Sequence, residues 1–345
     1  MATMDVFTKS DAFSTIELSS MVERMDYNPQ MLGTMNIFDT RPVRQRRIYV
    51  DRRTFELELV PFSERGDAPD QNERYERDAI NFDIPRLATQ DTVWAHEVAG
   101  LRESGTENEL MTVQREVARR LMEMRQNIEY TEEYLRLAAI QGRVFDPADG
   151  STVYNYHTEF NVTAQTDVNF ALTTDTTDVI TICNQVVRTI QRAAKGGWVP
   201  GRSRVEALVG DAFWDALVTH PNVVQYYTNW NAAQGLRMDS EAFGSFMFGG
   251  IMFHNYRGSD DNSEVAIPTN DARFFITGGN GVFVKAMAPA DEFMNFVNTP
   301  GQSMYAVQEL DERFRGNPRF VKYHMYSFPL YYCQRPGTLI RGTRS

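Results

Sequence analysis

The longest helical pattern in the sequence runs without interruption from Glu107 to Gln141. It begins at Thr106-Glu107-Asn108-Glu109, a capping box in which the threonine and glutamate side chains satisfy exposed backbone N–H groups. Gly142 stands where a helix commonly ends in a left-handed glycine. Apolar residues recur at three- and four-residue spacing between these ends: Leu110, Val113, Val117, Leu121, Met124, Ile128, Leu135 and Ala138. Such a helix is about 50 Å long. Because no heptad is sustained, it predicts a structural backbone that lies across a sheet or lobe, not a coiled coil.

Residues 1–42 have the pattern of an arm, not of a domain. A short helix is predicted over Thr15–Met25, and turn or breaker signals follow at Asn28-Pro29 and Arg41-Pro42. The apolar side chains between these breakers cannot be buried within an extended segment. We therefore expect the arm to dock on another surface, either within the chain or on a neighbour.

Two alternating patterns between residues 43 and 95 predict a long hairpin. Apolar residues alternate with polar ones over Thr54–Leu59 and again over Ile80–Ile84. Basic residues precede the hairpin and acidic residues crowd its tip: Arg44, Arg46, Arg47, Arg52 and Arg53, then Glu64, Asp67, Asp70, Glu73 and Glu76. Two strands with one apolar face are not stable alone in water. The hairpin is therefore either laid on an outside surface or an ordinary surface hairpin of the main domain.

Residues 166–310 have the pattern of a mixed α/β domain. A helix is predicted over Asp178–Ala194, a buried strand over Val205–Val209 and a short helix over Asp211–Thr219. Strands separated by glycine-rich turns follow, and the end of the chain returns to strand with many aromatic residues. A strand is also expected over Val153–Phe160. The fold class indicated by the whole pattern is α+β.

The charge balance limits the function classes. The 345-residue chain carries a formal net charge of −11, whereas nucleic acid is gripped chiefly by clustered Lys and Arg. Among its 35 basic residues the lysines are Lys9, Lys195, Lys285 and Lys322. The many arginines suit bidentate pairs with carboxylates in interfaces. The two isolated cysteines, the polar N-terminus and the lack of a membrane-length apolar stretch predict a soluble protein made inside a cell.

No catalytic, cofactor-binding or metal-ligating pattern occurs in the sequence. The five histidines are scattered singly, which favours packed or surface residues over ligands. We interpret Cys183 as a core residue of the predicted helix, and Glu132-Glu133 as part of a solvated or interface face. The arginines around the hairpin lack the interleaved aromatic residues that would stack bases. Ion pairing with acids of neighbouring chains is therefore favoured over nucleic-acid binding, and the elements together describe an assembly subunit, not an enzyme.

Several short segments, in order along the chain, resemble the phage major capsid protein E family, to which the lambda-type capsid proteins belong. They are Asn28-Pro29, Leu32-Gly33 and Phe38, then Pro61-Phe62-x-x-Arg65-Gly66, then Ile84-Pro85-Arg86, then Thr131-Glu132-Glu133-Tyr134, and finally Gly142 and Asp149-Gly150-Ser151. The resemblance lies in arrangement and spacing, not in one diagnostic motif.

The resemblance implies the Hong Kong 97-like capsid fold, in which an arm and an extended E-loop reach over adjacent subunits. It maps the N-terminal arm to 1–42, the E-loop to 43–95, the peripheral domain with its spine helix to 96–165 and 311–345, and the axial domain to 166–310. It also implies self-assembly as pentamers and hexamers into an icosahedral head shell that encloses double-stranded DNA without sequence-specific binding. Portal, scaffold and decoration proteins are the implied partners. Assembly in the host cytoplasm and a place in the virion are implied as well, with no membrane.

The E-loop departs from some relatives in one respect. Those relatives crosslink a lysine of this loop to an asparagine of another subunit, whereas residues 43–95 contain no lysine. We therefore expect shell contacts that are non-covalent or supported by decoration proteins. Two alternatives stay open from the sequence: an encapsulin-type nanocompartment shell of the same fold, and a soluble α/β enzyme with an unrecognised site.

Overall fold

The computed structural model of the chain describes residues 31–53, 77–100, 109–226, 244–256, 266–311 and 319–345. Its helices include α1 (Met31–Thr34), α2 (Ala95–Gly100), α3 (Glu109–Ile140), α4 (Tyr156–Glu159), α5 (Val179–Ala194) and α6 (Asp211–Thr219). Its strands are β1 (Asp39–Pro42), β2 (Arg47–Arg53), β3 (Arg77–Asp83), β4 (Leu87–Trp94), β5 (Arg143–Phe145), β6 (Thr152–Asn155), β7 (Val168–Asn169), β8 (Arg204–Val209), β9 (Ser245–Phe248), β10 (Ile251–Asn255), β11 (Asp271–Thr277), β12 (Phe283–Met287), β13 (Tyr305–Leu310), β14 (Phe320–Ser327), β15 (Pro329–Cys333) and β16 (Ile340–Thr343).

Helix α3 confirms the long helix predicted from the sequence. The capping residues Thr106 to Asn108 lie outside the described residues. At the other end, Gly142 has a φ of 79°, a left-handed conformation that glycine adopts without a steric penalty. The apolar stripe of α3 packs on an antiparallel sheet of order β13-β14-β4. The buried contact residues are Val117, Leu121, Met124 and Ile128 of the helix and Val93, Val321, Tyr323 and Met325 of the sheet.

The predicted α/β region forms a six-stranded mixed sheet of order β7-β16-β11-β8-β10-β9. Helix α5 begins after Asp178, whose carboxylate accepts a hydrogen bond from the Thr181 backbone N–H. The helix buries one face that includes Cys183 in the same core as the sheet. The predictions of α5, β8 and α6 are confirmed, as is the interpretation of Cys183 as core.

A third sheet, of order β1-β12-β15, holds the described part of the N-terminal segment. Strand β1 pairs in parallel with β12, from Asp39 opposite Val284 to Pro42 opposite Met287. Just before it, Phe38 is buried and lies edge-on to the rings of Phe283 and Tyr331. This part of the segment therefore docks within its own chain. The predicted helix over residues 15–25 lies outside the described residues.

The hairpin of the 43–95 region is formed by β2 and β3. Strand β3 confirms the pattern over residues 80–84, but its described partner is β2, which the sequence analysis treated only as a basic run. Ile48, Val50 and Phe82 are buried, and Phe82 lies against Tyr154 and other rings of the chain's own core. The hairpin base thus already has an apolar surface to lie on. The pattern over residues 54–59 lies outside the described residues.

The strand expected over Val153–Phe160 is wrong beyond Asn155. There the Asn155 side chain accepts a hydrogen bond from the His157 backbone N–H, and this cap starts the short helix α4. Other strand pairs also cross the predicted domain limits. β4 and β13 both pair with β14, β15 pairs with β12, and β16 pairs with β11 and β7.

Candidate functional site

The arginines predicted to contact neighbouring subunits lie at the base of the hairpin. Arg44 and Arg46 are exposed, and neither side chain has an acidic partner within the described ranges. Arg47 is also exposed, with its Nε 2.6 Å from Oδ1 of Asp83 on the paired strand. An exposed pair of this kind is weak, because water and salt screen the two charges. Arg47 can therefore exchange this partner for another at little cost.

The remaining predicted contact residues lie further along the hairpin. Arg52 and Arg53 end strand β2, in register with Asp78 and Arg77. The acidic residues of the tip lie outside the described residues: Glu64, Asp67, Asp70, Glu73 and Glu76. The described structure places Arg44, Arg46 and Arg47 at the base of the hairpin and Arg52 and Arg53 at the far end of β2. The pairing of these arginines with acids of another subunit stays a prediction.

An open groove runs along the base of the hairpin beside these arginines. Its first part, about 730 Å³ in volume, is lined by residues that include Arg46, Arg47, Tyr49 and Arg86. Its second part, about 490 Å³, continues between α3 and strands β5 and β6. Tyr49 is 58% exposed and Val153, on the opposite wall, is 52% exposed. The groove therefore offers apolar surface and three arginines, of which Arg47 and Arg86 already pair with Asp83 and Glu292. The positive charge of Arg46 fits a chain segment that carries apolar and acidic side chains.

Two buried glutamates on α3 form a polar cluster near this groove, and the interpretation of Glu132-Glu133 as part of a solvated or interface face is wrong. Glu132 and Glu133 are 2% and 0% exposed, not part of a solvated face. Glu132 accepts hydrogen bonds from Lys285 Nζ at 2.9 Å and from Arg136 Nη2 at 3.1 Å. It also accepts from the hydroxyls of Tyr331 at 2.6 Å and Ser327 at 3.0 Å.

The charge balance of this cluster explains how carboxylates can be buried there. Burial alone would raise the pKa of Glu132. The charges of Lys285 and Arg136 and the Tyr331 hydroxyl outweigh that effect, so the pKa of Glu132 lies below its ordinary value. Burial raises the pKa of Tyr331 well above its ordinary value, and the Glu132 carboxylate raises it further. Tyr331 thus stays a neutral donor.

Glu133 faces a different set of partners. Its Oε1 accepts hydrogen bonds from the Leu32 backbone N–H at 2.8 Å and the Tyr256 hydroxyl at 3.3 Å. Its Oε2 accepts from the Gly33 backbone N–H at 3.2 Å and from Arg136 Nη1 at 3.0 Å. One carboxylate therefore joins the N-terminal segment, the long helix and the end of strand β10. The only sequence signal was the spacing of Arg136 from the two glutamates, which is also typical of exposed helix faces.

The histidines form separate contacts. His254 pairs with Glu206 at 3.1 Å, His324 with Glu309 at 2.7 Å, and the His220 ring bonds the Thr174 carbonyl oxygen at 3.1 Å. Across the part of the chain that the structure describes, no group of three or more His, Cys, Asp or Glu residues is arranged to hold a metal ion. In the same part, no helix has the length and apolar character needed to cross a membrane.

The long helix on its three-stranded sheet, the basic hairpin and the separate six-stranded sheet define the Hong Kong 97-like capsid fold. The putative capsid protein of a prophage of E. coli CFT073 has a similar structure, with a TM-score of 0.58 at 13% identity over 96% of this chain and 99% of that chain. The capsid structure of Cyanophage P-SCSP1u gives a TM-score of 0.54 at 12% identity over 93% of this chain and 90% of that chain. At these identities the likeness establishes the fold class: the chain has the architecture of a capsid protein.

The sequence model of the family described as phage major capsid protein E matches residues 14–344, and the chain belongs to that family. The major capsid protein of Pseudomonas phage KPP10 is 26% identical over 323 residues, which cover 87% of this chain and 90% of that protein. The major capsid protein of Salmonella phage Felix O1 is 23% identical over 362 residues, with 96% of each covered. The chain is a structural subunit of a phage head shell, and the encapsulin and enzyme alternatives are not favoured.

Proposed function

We propose that the E-loop, residues 43–95, joins neighbouring subunits of the head shell through its charges, without catalysis or a covalent crosslink. The observation that carries this proposal is the groove at the hairpin base. It places Arg46, Arg47 and Arg86 beside exposed apolar residues, while Arg44 and Arg46 have no acidic partner in the described part of their own chain. The acidic tip of the E-loop has the opposite charge. If the tip of one subunit lies on the groove of another, its acids can pair with the arginines of that groove.

The proposed assembly has pentamers and hexamers as its units and encloses double-stranded DNA. The net charge of −11 supports a shell wall that does not adhere to the genome. The partners that we propose besides other copies are a portal, a scaffold and a decoration protein. Assembly would take place in the host cytoplasm and the product would be the virion.

The proposed division of the subunit follows the limits expected from the sequence, adjusted by strand pairing. The arm is 1–42 and the E-loop 43–95, apart from β4. The peripheral domain is 96–165 and 311–345, and the axial domain is 166–310. Because β4 and β13 pair with β14, we assign both to the peripheral domain. Because β16 pairs with β11, we assign it to the axial domain.

Charge reversal tests the proposed contact. Arg44→Glu with Arg46→Glu touches no buried side chain, so the variant subunit should keep its circular dichroism spectrum. Its shells should be absent or should dissociate at lower salt, as measured by sedimentation and electron microscopy. Exposed pairs contribute only ~0.2–1 kcal/mol each, but every subunit of a closed shell repeats them.

Two further variants make this test specific. Arg188→Glu with Arg192→Glu changes two exposed arginines of α5 by the same charge and should assemble more normally. Replacing the five tip acids by lysine should block assembly when it is the only change. Combined with Arg44→Glu and Arg46→Glu, the same replacement should restore assembly. Normal shells from the Arg44/Arg46 variant, with unchanged salt resistance, would show that the basic run is only a solvated face.

A further inference from the structure

The first described hydrogen bonds between the N-terminal segment and the rest of the chain are accepted by Glu133. Both oxygens of this carboxylate take part, one bonded to the Leu32 N–H at 2.8 Å and the other to the Gly33 N–H at 3.2 Å. The Leu32 side chain beside them is 1% exposed. A carboxylate that receives two backbone N–H groups fixes the direction of that backbone as well as its position.

The carboxylate is held in place independently of the segment. Arg136 donates to one oxygen at 3.0 Å and the Tyr256 hydroxyl to the other at 3.3 Å. With the segment in place Glu133 is fully buried, so its two bonds to the backbone are shielded from competing water. The site is therefore built into α3 and does not depend on the segment for its own shape.

The next contacts along the segment are of another kind. Phe38 lies edge-on to Phe283 and Tyr331, with ring centroids 5.3 and 5.0 Å away, and β1 then joins the sheet. If the Glu133 contact is lost, these contacts still hold the chain from Phe38 onward. Between residue 31 and Phe38 the apolar contacts of Leu32, Met35 and Ile37 then remain, so this stretch is held more weakly and its backbone direction is no longer fixed. Where it detaches, the free chain becomes longer by about six residues, or roughly 20 Å when extended.

We propose that Glu133 is a positioning residue for assembly: it fixes the point at which the N-terminal arm leaves the subunit, and so where the arm reaches a second copy of this chain. The proposal rests on a proposed role of the arm in joining subunits, which the resemblance to the capsid family implies. Glu133→Gln is the test variant, because it keeps the volume of the side chain but places an amide N–H₂ against groups that donate hydrogen bonds.

Hydrogen exchange of unassembled full-length subunits tests the anchor itself. In Glu133→Gln we expect the amides of residues 32 and 33 to exchange roughly tenfold to a hundredfold faster, the range for hydrogen bonds to a charged group. The amides of β1 should keep their protection. Glu129→Gln is the matched control: Glu129 is 7% exposed, lies one turn earlier on α3 and pairs with Arg125. Tyr256→Phe removes only the hydroxyl donor. Both controls should leave residues 32 and 33 protected.

Electron microscopy of the assembled particles tests the link to the shell. Glu133→Gln should give open or irregular particles, whereas Glu129→Gln should give closed shells. Unchanged exchange at residues 32 and 33 would overturn the anchor and leave the proposed role of the arm untouched. Faster exchange with normal closed shells would refute the link between arm position and assembly.

A second variant keeps the test decisive if Glu133→Gln does not fold. Gly33→Pro removes one of the two donors from the side of the segment and leaves the ionic cluster intact. Proline is tolerated in the first turn of a helix, where its missing N–H has no partner within the helix. Because Leu32 keeps its own N–H bond to Glu133, a smaller loss of protection at Leu32 is expected, together with the same irregular particles. Full protection and closed shells from this variant would contradict the proposal.

Discussion

Replacing Lys285 by methionine removes one of the two cations of the buried cluster and keeps much of its apolar stem. Lys285 Nζ lies 2.9 Å from Glu132 Oε2, and its side chain is 14% exposed. In the variant, Arg136 alone would face two buried carboxylates, so one negative charge would be uncompensated. Breaking a buried ion pair in this way costs about 3–5 kcal/mol. We expect the free energy of unfolding of the subunit to fall by about that amount.

Urea unfolding of unassembled subunits, followed by circular dichroism, measures the change. Glu132→Gln and the double variant complete a thermodynamic cycle, in which the second substitution should cost much less once the first is present. Lys322→Met is the matched control, because this half-buried lysine lies over the Phe320 ring and has no ion pair among the described residues. It should lose no more than about 0.5–1 kcal/mol. Additive costs in the cycle, or a loss below about 1 kcal/mol for Lys285→Met, would refute the reasoning.

Three further predictions concern other buried groups. The pKa of Glu132 is lowered, and that of Glu116 is lowered to about 2 by hydrogen bonds from Arg119 and Arg120. The ionised carboxylates of Glu132 and Glu116 stabilise the folded subunit fully above the ordinary glutamate pKa of 4.5, and this stabilisation is lost as the pH falls toward 2. The urea midpoint of unfolding should therefore decrease over that range. Burial raises the pKa of the Cys183 and Cys333 thiols to about 12, so neither should react with a thiol reagent at pH 8 until urea unfolds the subunit. Gly249→Ala should lose about 1–3 kcal/mol, because a Cβ there would lie 2.5 Å from the Cys183 Cβ.

Each of these predictions has its own check. The Lys285→Met variant should lose less stability on acidification than the wild type, since part of the effect on Glu132 is already gone. Thiol reaction in the folded subunit at the rate of the unfolded chain would contradict the burial of the cysteines. For the glycine, Gly150→Ala is the comparison. Gly150, like Gly249, has a positive φ (70° at Gly150), but a Cβ there would meet nothing within 4 Å. Gly150→Ala should therefore lose only the free energy that corresponds to backbone strain.

The regular elements could be predicted because their residues repeat with the period of the element. Helix α3 and helix α5 both showed apolar residues at three- and four-residue spacing, and Asp178 marked the start of α5. Strand β2 also carried a signal, with Ile48 and Val50 alternating toward the core. The arginines around Ile48 and Val50 favoured the interpretation as an exposed basic run, because strongly charged segments are more often exposed.

The buried cluster could not be predicted because its partners are distant in the chain. Seen along α3 alone, Glu132, Glu133 and Arg136 have the spacing of exposed helix pairs. Their burial results from Leu32, which precedes them by about a hundred residues, and from Lys285, which follows by about one hundred and fifty. The spacing of residues along one helix gives no information about contacts with such distant parts of the chain. The groove, too, exists only after the hairpin, the helix and strands β5 and β6 are assembled.

The parallel pairing of β1 with β12 also determines when the subunit can be completed during its synthesis. Strand β1 leaves the ribosome early, but the residues that it pairs with, Val284 to Met287, are made about 240 residues later. At ~5–20 residues per second, that interval is about 12–50 s. During this time the N-terminal segment has no sheet to join, and its apolar side chains are open to premature contacts with other chains. The part of the subunit that is made first is therefore among the last to reach its place.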